Sequence, residues 1–297
     1  MGSMGRLSSC LIQWFWTATQ MAVGNNGNLL QHGIEAELAW QLHCRGGHKG
    51  IQFTCTHGMA PFESFHKSQT FDAKLRSNLE EAFSPELAAD SPAVLYAYRD
   101  CETTPAHYPN TAEIFASMFG RRNLNGRIVE CEPLKVQMLR YAWAGTTVQI
   151  YDGSWRKCFV ADSIAGTIEQ PWLCVMDPFT FQTDDKYHDD GNFYPSDFER
   201  LLPVVPKLLE QGKKAGVPGA FALFCYSLAT AGKRKDGGFY GHQEFQEHAN
   251  KFATEFQDAM TFELFSTKRN HYDVGLVMCT DDGMLKDVSS AWQRLNA

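Results

Sequence analysis

Residues 127–153 read RIVECEPLKVQMLRYAWAGTTVQIYDG, and this stretch decides the fold class. Residues 127–131 form a short apolar run that closes on Glu130-Cys131-Glu132-Pro133. Apolar side chains then recur at helical spacing over 134–143, and 146–151 is a second strand-like run ending in Tyr151-Asp152-Gly153. A strand, a helix and a strand in so short a span imply two parallel strands joined by a helical crossover.

The same alternation extends outward. On the N-terminal side, Leu30, Ile34, Leu38 and Leu42 recur every four residues, so 28–44 is expected as an amphipathic helix stopped by Gly46-Gly47. Ile51 to Thr56 reads as a strand, 63–105 as a less regular helical insertion with a helix at 72–83, and 111–119 as a helix. On the C-terminal side, Trp172 to Met176 is an apolar run entering Asp177-Pro178. A long helix follows at 196–213, disturbed by Pro203 and Pro206, then a buried strand over 220–226 and a helix over 243–259. Two strands, 260–266 and 273–280, close the chain as a hairpin before a last helix at 287–295. The expectation is an α/β domain with a mainly parallel sheet, helices on both faces and one antiparallel edge made by the hairpin.

Composition narrows the class. The chain has 297 residues and 44% hydrophobic residues, enough for one large core, since α/β domains reach ~250 residues as one unit. One domain over 21–297 is expected, with no linker or internal repeat. Residues 1–20 read as a leader or tag-like segment, because Cys10 to Trp16 is apolar but has neither a basic flank nor a cleavage site. No apolar run is long enough for a membrane span. Nine cysteines stand singly without a Cys-x-x-Cys pair, which favours reduced thiols, a cytoplasmic setting and no zinc module. His242 and His248 lack the spacing of a metal pair, and Asp184, Asp185, Asp189 and Asp190 read as a solvated loop, so no metal is expected. The net charge of −7 argues against broad non-specific nucleic-acid binding.

Ligands of open parallel sheets bind beyond the carboxyl ends of the strands. Those ends are Thr56-His57-Gly58-Met59, Glu130-Cys131-Glu132-Pro133, Tyr151-Asp152-Gly153 and Asp177-Pro178-Phe179. Three successive strands therefore end in an acid. An acid after the second strand can accept from ribose hydroxyls, one after the third from an adenine amine, and one after the fourth can face a reacting atom. Strand-end acids are often merely solvated or cap a helix; three in this order favour a nucleotide-like ligand. Gly24 to Asn28 is an unusual lead into a helix, with Asn28 a natural N-cap and His32 one turn inside.

Together these residues resemble the bacterial large-subunit rRNA adenine-N6 methyltransferases that act on free rRNA. The likeness is collinear from about Gly24 to Leu295 and runs through the helix histidine, Thr56-His57, Tyr108-Pro109-Asn110-Thr111, Glu130, Asp152-Gly153, Asp177-Pro178 and the closing hairpin around Phe262-Glu263-Leu264. The resemblance implies a Rossmann-like class I methyltransferase sheet and S-adenosylmethionine as cofactor. It implies cofactor contacts for His32, His57, Gly58, Thr111, Glu130, Asp152 and Gly153, and a catalytic role for Asp177 with Pro178 and Phe179. The substrate implied is a nucleic acid, RNA rather than DNA.

The chain also departs from that pattern. The family's glycine-rich first loop is here Cys55-Thr56-His57-Gly58-Met59-Ala60-Pro61, a lysine before the helix histidine is Gln31, and the acceptor motif Asp-Pro-Pro-Tyr is Asp177-Pro178-Phe179-Thr180. The segment 178–195 carries Phe179, Phe181, Tyr187, His188, Phe193 and Tyr194 and is expected as a mobile substrate loop. Two other functions share this sequence signature: a binding protein that keeps the fold without catalysis, and a methyltransferase for a small molecule.

Overall fold

The computed structural model describes residues 26–64, 107–158, 167–183, 190–227, 232–233, 239–266 and 272–296. The leader, the helix expected at 72–83 and nearly all of the 63–105 insertion lie outside these residues.

Seven strands form the main sheet. In chain order they are β1 (Gln52–Cys55), β4 (Asn125–Glu130), β5 (Thr147–Asp152), β6 (Trp172–Met176), β9 (Gly219–Ser227), β12 (Thr261–Ser266) and β13 (Tyr272–Cys279). Their spatial order is β12-β13-β9-β6-β1-β4-β5. β1 pairs in parallel with β4 on one side and β6 on the other, and β4–β5 and β6–β9 are parallel too. β13 runs antiparallel to both β9 and β12. This is a Rossmann-like, mainly parallel sheet, as the alternation in the sequence implies. One expectation needs correcting: the antiparallel strand is not an edge. β13 is inserted between β9 and β12, so the edge strand β12 runs parallel to the rest. Residue patterning allows this, because all described side chains of β13 from Val274 to Cys279 are buried, as only an interior strand's are.

The sheet separates two apolar layers, and the strands serve both by alternation. In β6, Leu173 and Val175 face one layer while Trp172, Cys174 and Met176 face the other. The first layer is covered by α1 (Asn26–Gly46), α2 (Thr111–Phe119) and α8 (Asp282–Asn296), the second by α5 (Pro195–Leu201), α6 (Val204–Ala215) and α7 (His242–Thr254). Two short helices, α3 (Pro133–Ala142) and α4 (Trp155–Cys158), follow β4 and β5. Local chemistry sets many of the boundaries. Asn110 caps α2 by accepting from the Glu113 N–H at 2.8 Å. Pro133 and Pro195 occupy the first turns of α3 and α5, where no donor is needed. Gly216 ends α6 in the left-handed region, φ 68°. The helix expected over 196–213 is two helices, because Pro203 falls at their junction. Short strands complete the set: β2 (Phe62–Ser64) with β3 (His107–Pro109), β7 (Thr180–Phe181) with β8 (Asn192–Phe193), and β10 (Gly232–Lys233) with β11 (Phe239–Tyr240).

The mobile substrate loop expected over 178–195 is corrected in its described part. β7 pairs with β8 and also reaches β9. Phe181, Phe193 and Tyr194 are fully buried. Phe193 stacks on Trp155 at 5.9 Å and meets Phe198 edge-on at 4.9 Å. These aromatics anchor the segment to the core, because burying them gains more than leaving them free for a ligand. Tyr187 and His188 lie outside the described residues. Phe193→Ala is therefore expected to lower unfolding free energy by ~3–5 kcal/mol. An unchanged midpoint in chemical denaturation would contradict the anchoring role.

Candidate functional site

The strand order reverses between β1 and β6, since β1 leads to β4 on one side and β6 to β9 on the other. Carboxyl ends of adjacent strands diverge there and leave a crevice. Cys55 lies opposite Val175 across this pair, so His57 and Asp177, each two residues beyond, stand on either lip. Glu130 and Asp152 are themselves register partners at the ends of β4 and β5. The acids and the histidine read from the sequence thus share one edge of the sheet.

The loop after β1 packs hard against β4. The Gly58 N–H donates to the Val129 carbonyl at 2.8 Å, and the Gly58 carbonyl accepts from Asn110 Nδ2 at 2.8 Å. A methyl group on Gly58 would lie 2.5 Å from Ile128 Cγ2 and 3.1 Å from the Val129 carbonyl oxygen. Met59 follows with φ 52°, in the left-handed region that disfavours a side chain. Glu130 holds it there: Oε2 accepts from the Met59 N–H at 2.8 Å, while Oε1 accepts from the N–H groups of Cys131 and Glu132, each at 2.8 Å. The Gly153 N–H donates to the Glu130 carbonyl at 2.9 Å. Glu130, His57, Gly58, Asp152 and Gly153 therefore form one cluster.

His57 is fixed from both sides. Its Nε2 lies 3.1 Å from the Asp190 carbonyl and so carries the proton, which leaves Nδ1 to accept from Thr56 Oγ1 at 2.8 Å. Burial pushes its pKa down to about 4, so the ring is neutral. Asp190, expected in a solvated loop, is instead tied down through its carboxylate by Ser154 Oγ and by Arg156 Nη1 at 3.1 Å. Arg156 also grips Asp197 through Nε and Nη2 at 2.8 and 2.7 Å, and donates from Nη2 to the Asn192 carbonyl at 2.7 Å. Its guanidinium lies over Trp155, 4.6 Å from the ring centre. The segment after β7 is thereby strapped to the ends of β1 and β5.

A second cluster is buried under α1. From residue 31 to residue 39 this helix is covered on every side, polar residues included. His32 Nε2 is 4.0 Å from Asp177 Oδ2, and burial pushes its pKa down to about 3. Glu35 is wholly buried, accepting from Thr111 Oγ1 at 2.8 Å and from Gln31 Nε2 at 3.0 Å. The Gln31 amide also acts on Asp177, holding its carboxyl below where burial alone would put it. Burial and then the nearby Asp177 push the Glu35 carboxyl up, and burial pushes Asp177 up. Asp177 is 15% exposed, Pro178 is buried, and Phe179 is 46% exposed with its N–H held by the Gly191 carbonyl at 2.6 Å. His32 thus lies against Asp177 and Thr111 against Glu35.

Sequence reading missed Glu35, Arg156, Ser154 and Asp190. Glu35 had a signal: an acid among Ile34, Leu38 and Leu42, one turn after a glutamine. Arg156 and Asp190 had none, because 34 residues separate them. Among the described residues no group of three or more His, Cys, Asp or Glu side chains could hold a metal, and no helix is long and apolar enough to cross a membrane.

No protein-family model matches the chain, and no curated protein sequence does. Among solved structures, a Legionella pneumophila protein of the DUF519 family superposes with a TM-score of 0.56 at 12% identity, covering 92% of each chain. That likeness extends over the whole fold. An rRNA methylase from Streptococcus thermophilus overlays more loosely, with a TM-score of 0.37 at 9% identity over 84% of this chain and 93% of that one.

The packing of Gly58 yields a test of the site's scaffold. Gly58→Ala should cost ~1–3 kcal/mol, since backbone and the Ile128 side chain must move together. Denaturant titration checks this, and a stability equal to wild type would show that the loop packs differently.

Proposed function

We propose that the chain is an S-adenosylmethionine-dependent methyltransferase whose acceptor is an exocyclic amine of a nucleic-acid base, adenine N6 in RNA. The observation that carries the reading is the row Asp152, Glu130, His57 and Asp177 along the carboxyl ends of β5, β4, β1 and β6, across the reversal of strand order. The neighbouring acids on β4 and β5 suit a ribose and an adenine, and the acid across the crevice suits a reacting amine.

The residues present fit the cofactor by their hydrogen-bonding capacity. A carboxylate has about four acceptor positions. Three on Glu130 are taken by backbone N–H groups, which leaves one on Oε2 for a ribose hydroxyl. Asp152 is 51% exposed, with Arg140 3.8 Å away, and has room to accept from an adenine amine. His57, Gly58 and Gly153 border the same space. S-adenosylmethionine supplies an electrophilic methyl group when bound.

Asp177 and the Pro178 carbonyl then act on the acceptor. An aromatic amine has its lone pair drawn into the ring and is a poor nucleophile. Two acceptors aimed at its hydrogens turn the nitrogen towards tetrahedral geometry and free that pair. Neither group offers a competing donor while Asp177 is ionised. Phe179 presents an aromatic face beside them on which a base can stack. A base must leave its stack to arrive there, which favours single-stranded or looped RNA.

Calorimetry and transfer assays test the reading in sequence. Wild-type protein should bind S-adenosylmethionine and S-adenosylhomocysteine, and Glu130→Ala should weaken both at least tenfold, ~1.4 kcal/mol. Asp177→Asn should keep cofactor affinity while methyl transfer to RNA falls at least ~100-fold, ~2.7 kcal/mol. Absence of binding would identify a non-catalytic protein, transfer only to small amines would overturn the substrate, and a fully active Asp177→Asn would end the mechanism.

A further inference from the structure

The acceptor residues sit in a bulge. β6 pairs with β9 as far as Met176 opposite Leu223, and β7 resumes with Thr180 opposite Tyr226. Between those rungs Asp177, Pro178 and Phe179 stand against two residues of β9, Phe224 and Cys225. One residue in excess breaks the ladder and re-aims the side chains there. The Phe179 N–H finds its partner on the other side, in the Gly191 carbonyl at 2.6 Å.

Gly191 belongs to a run of three engaged carbonyls. Asp190 accepts from His57 Nε2 at 3.1 Å, Gly191 from Phe179, and Asn192 from Arg156 Nη2 at 2.7 Å. One short stretch of backbone therefore touches the β1 lip, the β6 lip and a guanidinium. Phe193 and Tyr194 anchor the far end of this stretch in the core, but Asp190 and Gly191 lie ahead of that packing. Asp190 is gripped instead through its carboxylate, by Ser154 Oγ and Arg156 Nη1. Arg156 is itself immobilised. Of the five N–H groups of a guanidinium, one goes to Asp190, one to Asn192 and two, as a fork, to the buried Asp197. The rings of Trp155 and Tyr194 lie 4.6 and 5.3 Å from its central carbon. His57 serves the same arrangement: both its ring nitrogens are engaged, one by Asp190 and one by Thr56, so it pins the stretch to the β1 loop.

We propose that Arg156 is a positioning residue for methyl transfer. Through Asp190, Gly191 and Asn192 it fixes the distance between the cofactor lip at His57 and the acceptor bulge at Phe179. This rests on the methyltransferase reading. The nitrogen–methyl bond forms as the sulfur–methyl bond breaks, with the electron pair left on sulfur and one amine proton passing to solvent. Such a displacement needs its partners aligned, and a misplacement of ~1 Å costs on the order of 100-fold in rate. Glu130 is held by its own backbone donors, outside this stretch. Arg156 therefore governs alignment more than cofactor affinity.

Asp190→Ala tests this with the fold preserved, because the Asp190 side chain is 38% exposed and the fork of Arg156 on Asp197 remains. Nitrogen-15 NMR of the imidazoles, with His57 assigned by its loss in His57→Gln, reads one lip. Hydrogen exchange at the Phe179 amide reads the other. Wild-type His57 should show a single tautomer, protonated at Nε2. In Asp190→Ala the tautomers should mix, and exchange at Phe179 should quicken at least ~10-fold. With S-adenosylmethionine and RNA, kcat should fall at least ~10-fold. The Kd for S-adenosylhomocysteine should rise less than about threefold. Arg156→Lys, which keeps the charge without the fork, should give the same pattern. Asp190→Asn keeps an acceptor oxygen for Arg156 and should lie between Asp190→Ala and wild type on every readout.

A merely structural contact would lower the melting temperature and leave kcat of the folded protein unchanged. That result, or a His57 tautomer and Phe179 exchange indifferent to Asp190→Ala, overturns the proposal. The two NMR and exchange readouts need no substrate, so the two readings fail separately. A wild type that binds no cofactor and transfers no methyl group sinks the methyltransferase reading and the catalytic role of Arg156 with it. A wild type that transfers methyl groups no faster than Asp190→Ala refutes the positioning role alone.

Discussion

Everything at the site hangs on the pairing of β1 with β6. These two short parallel strands lie at the centre of the sheet, where helices cover both faces and the ladder is shielded from water. Strand order reverses about them, so the connections after β1 and β6 leave towards opposite layers and cannot close the gap between them. The crevice is a consequence of topology. The side chains only decide what it recognises.

The two sides of that crevice are built on different principles. On the β4 side, polar groups are satisfied by backbone: Glu130 gathers three N–H groups and holds Met59 in a conformation that costs on the order of 1–2 kcal/mol for a residue with a side chain. On the β6 side, polar side chains satisfy one another inside a helix interface. Gln31, His32, Glu35 and Thr111 give α1 a polar seam where most packed helices have an apolar one. Such a seam contributes little net stability, because each hydrogen bond replaces one to water, but every member left unpaired would cost more than it had gained.

Arg156 links the two sides. It reaches Asp190, Asn192 and Asp197, and Asp190 in turn meets His57 and Ser154. Because Phe193 and Tyr194 bury themselves next to these contacts, the strap is held by core packing and ion pairing together. Phe179, at the start of the same segment, is half exposed while its backbone is fixed. A rigid backbone carrying one exposed aromatic is the arrangement by which a flat ligand can be met without ordering a loop first.

By itself the sequence determined the α/β alternation, the strand ends and the acids on them. Each of these is local: period-2 and helical spacing, prolines in first turns, and an acid next to an apolar run are all visible within about ten residues. It also pointed to Asp177-Pro178 beyond a fully apolar strand. Only tertiary structure decided that β13 lies inside the sheet, since a hairpin's own pattern does not say which of its strands meets β9. Only tertiary structure turned Phe181, Phe193 and Tyr194 from candidate ligand contacts into core, because aromatic residues look alike in sequence whether they meet a base or a neighbouring helix. It alone joined His32 to Asp177, from helix α1 to the end of β6, across a contact that no spacing rule encodes. Charge state follows burial, and burial is a property of the assembled layers.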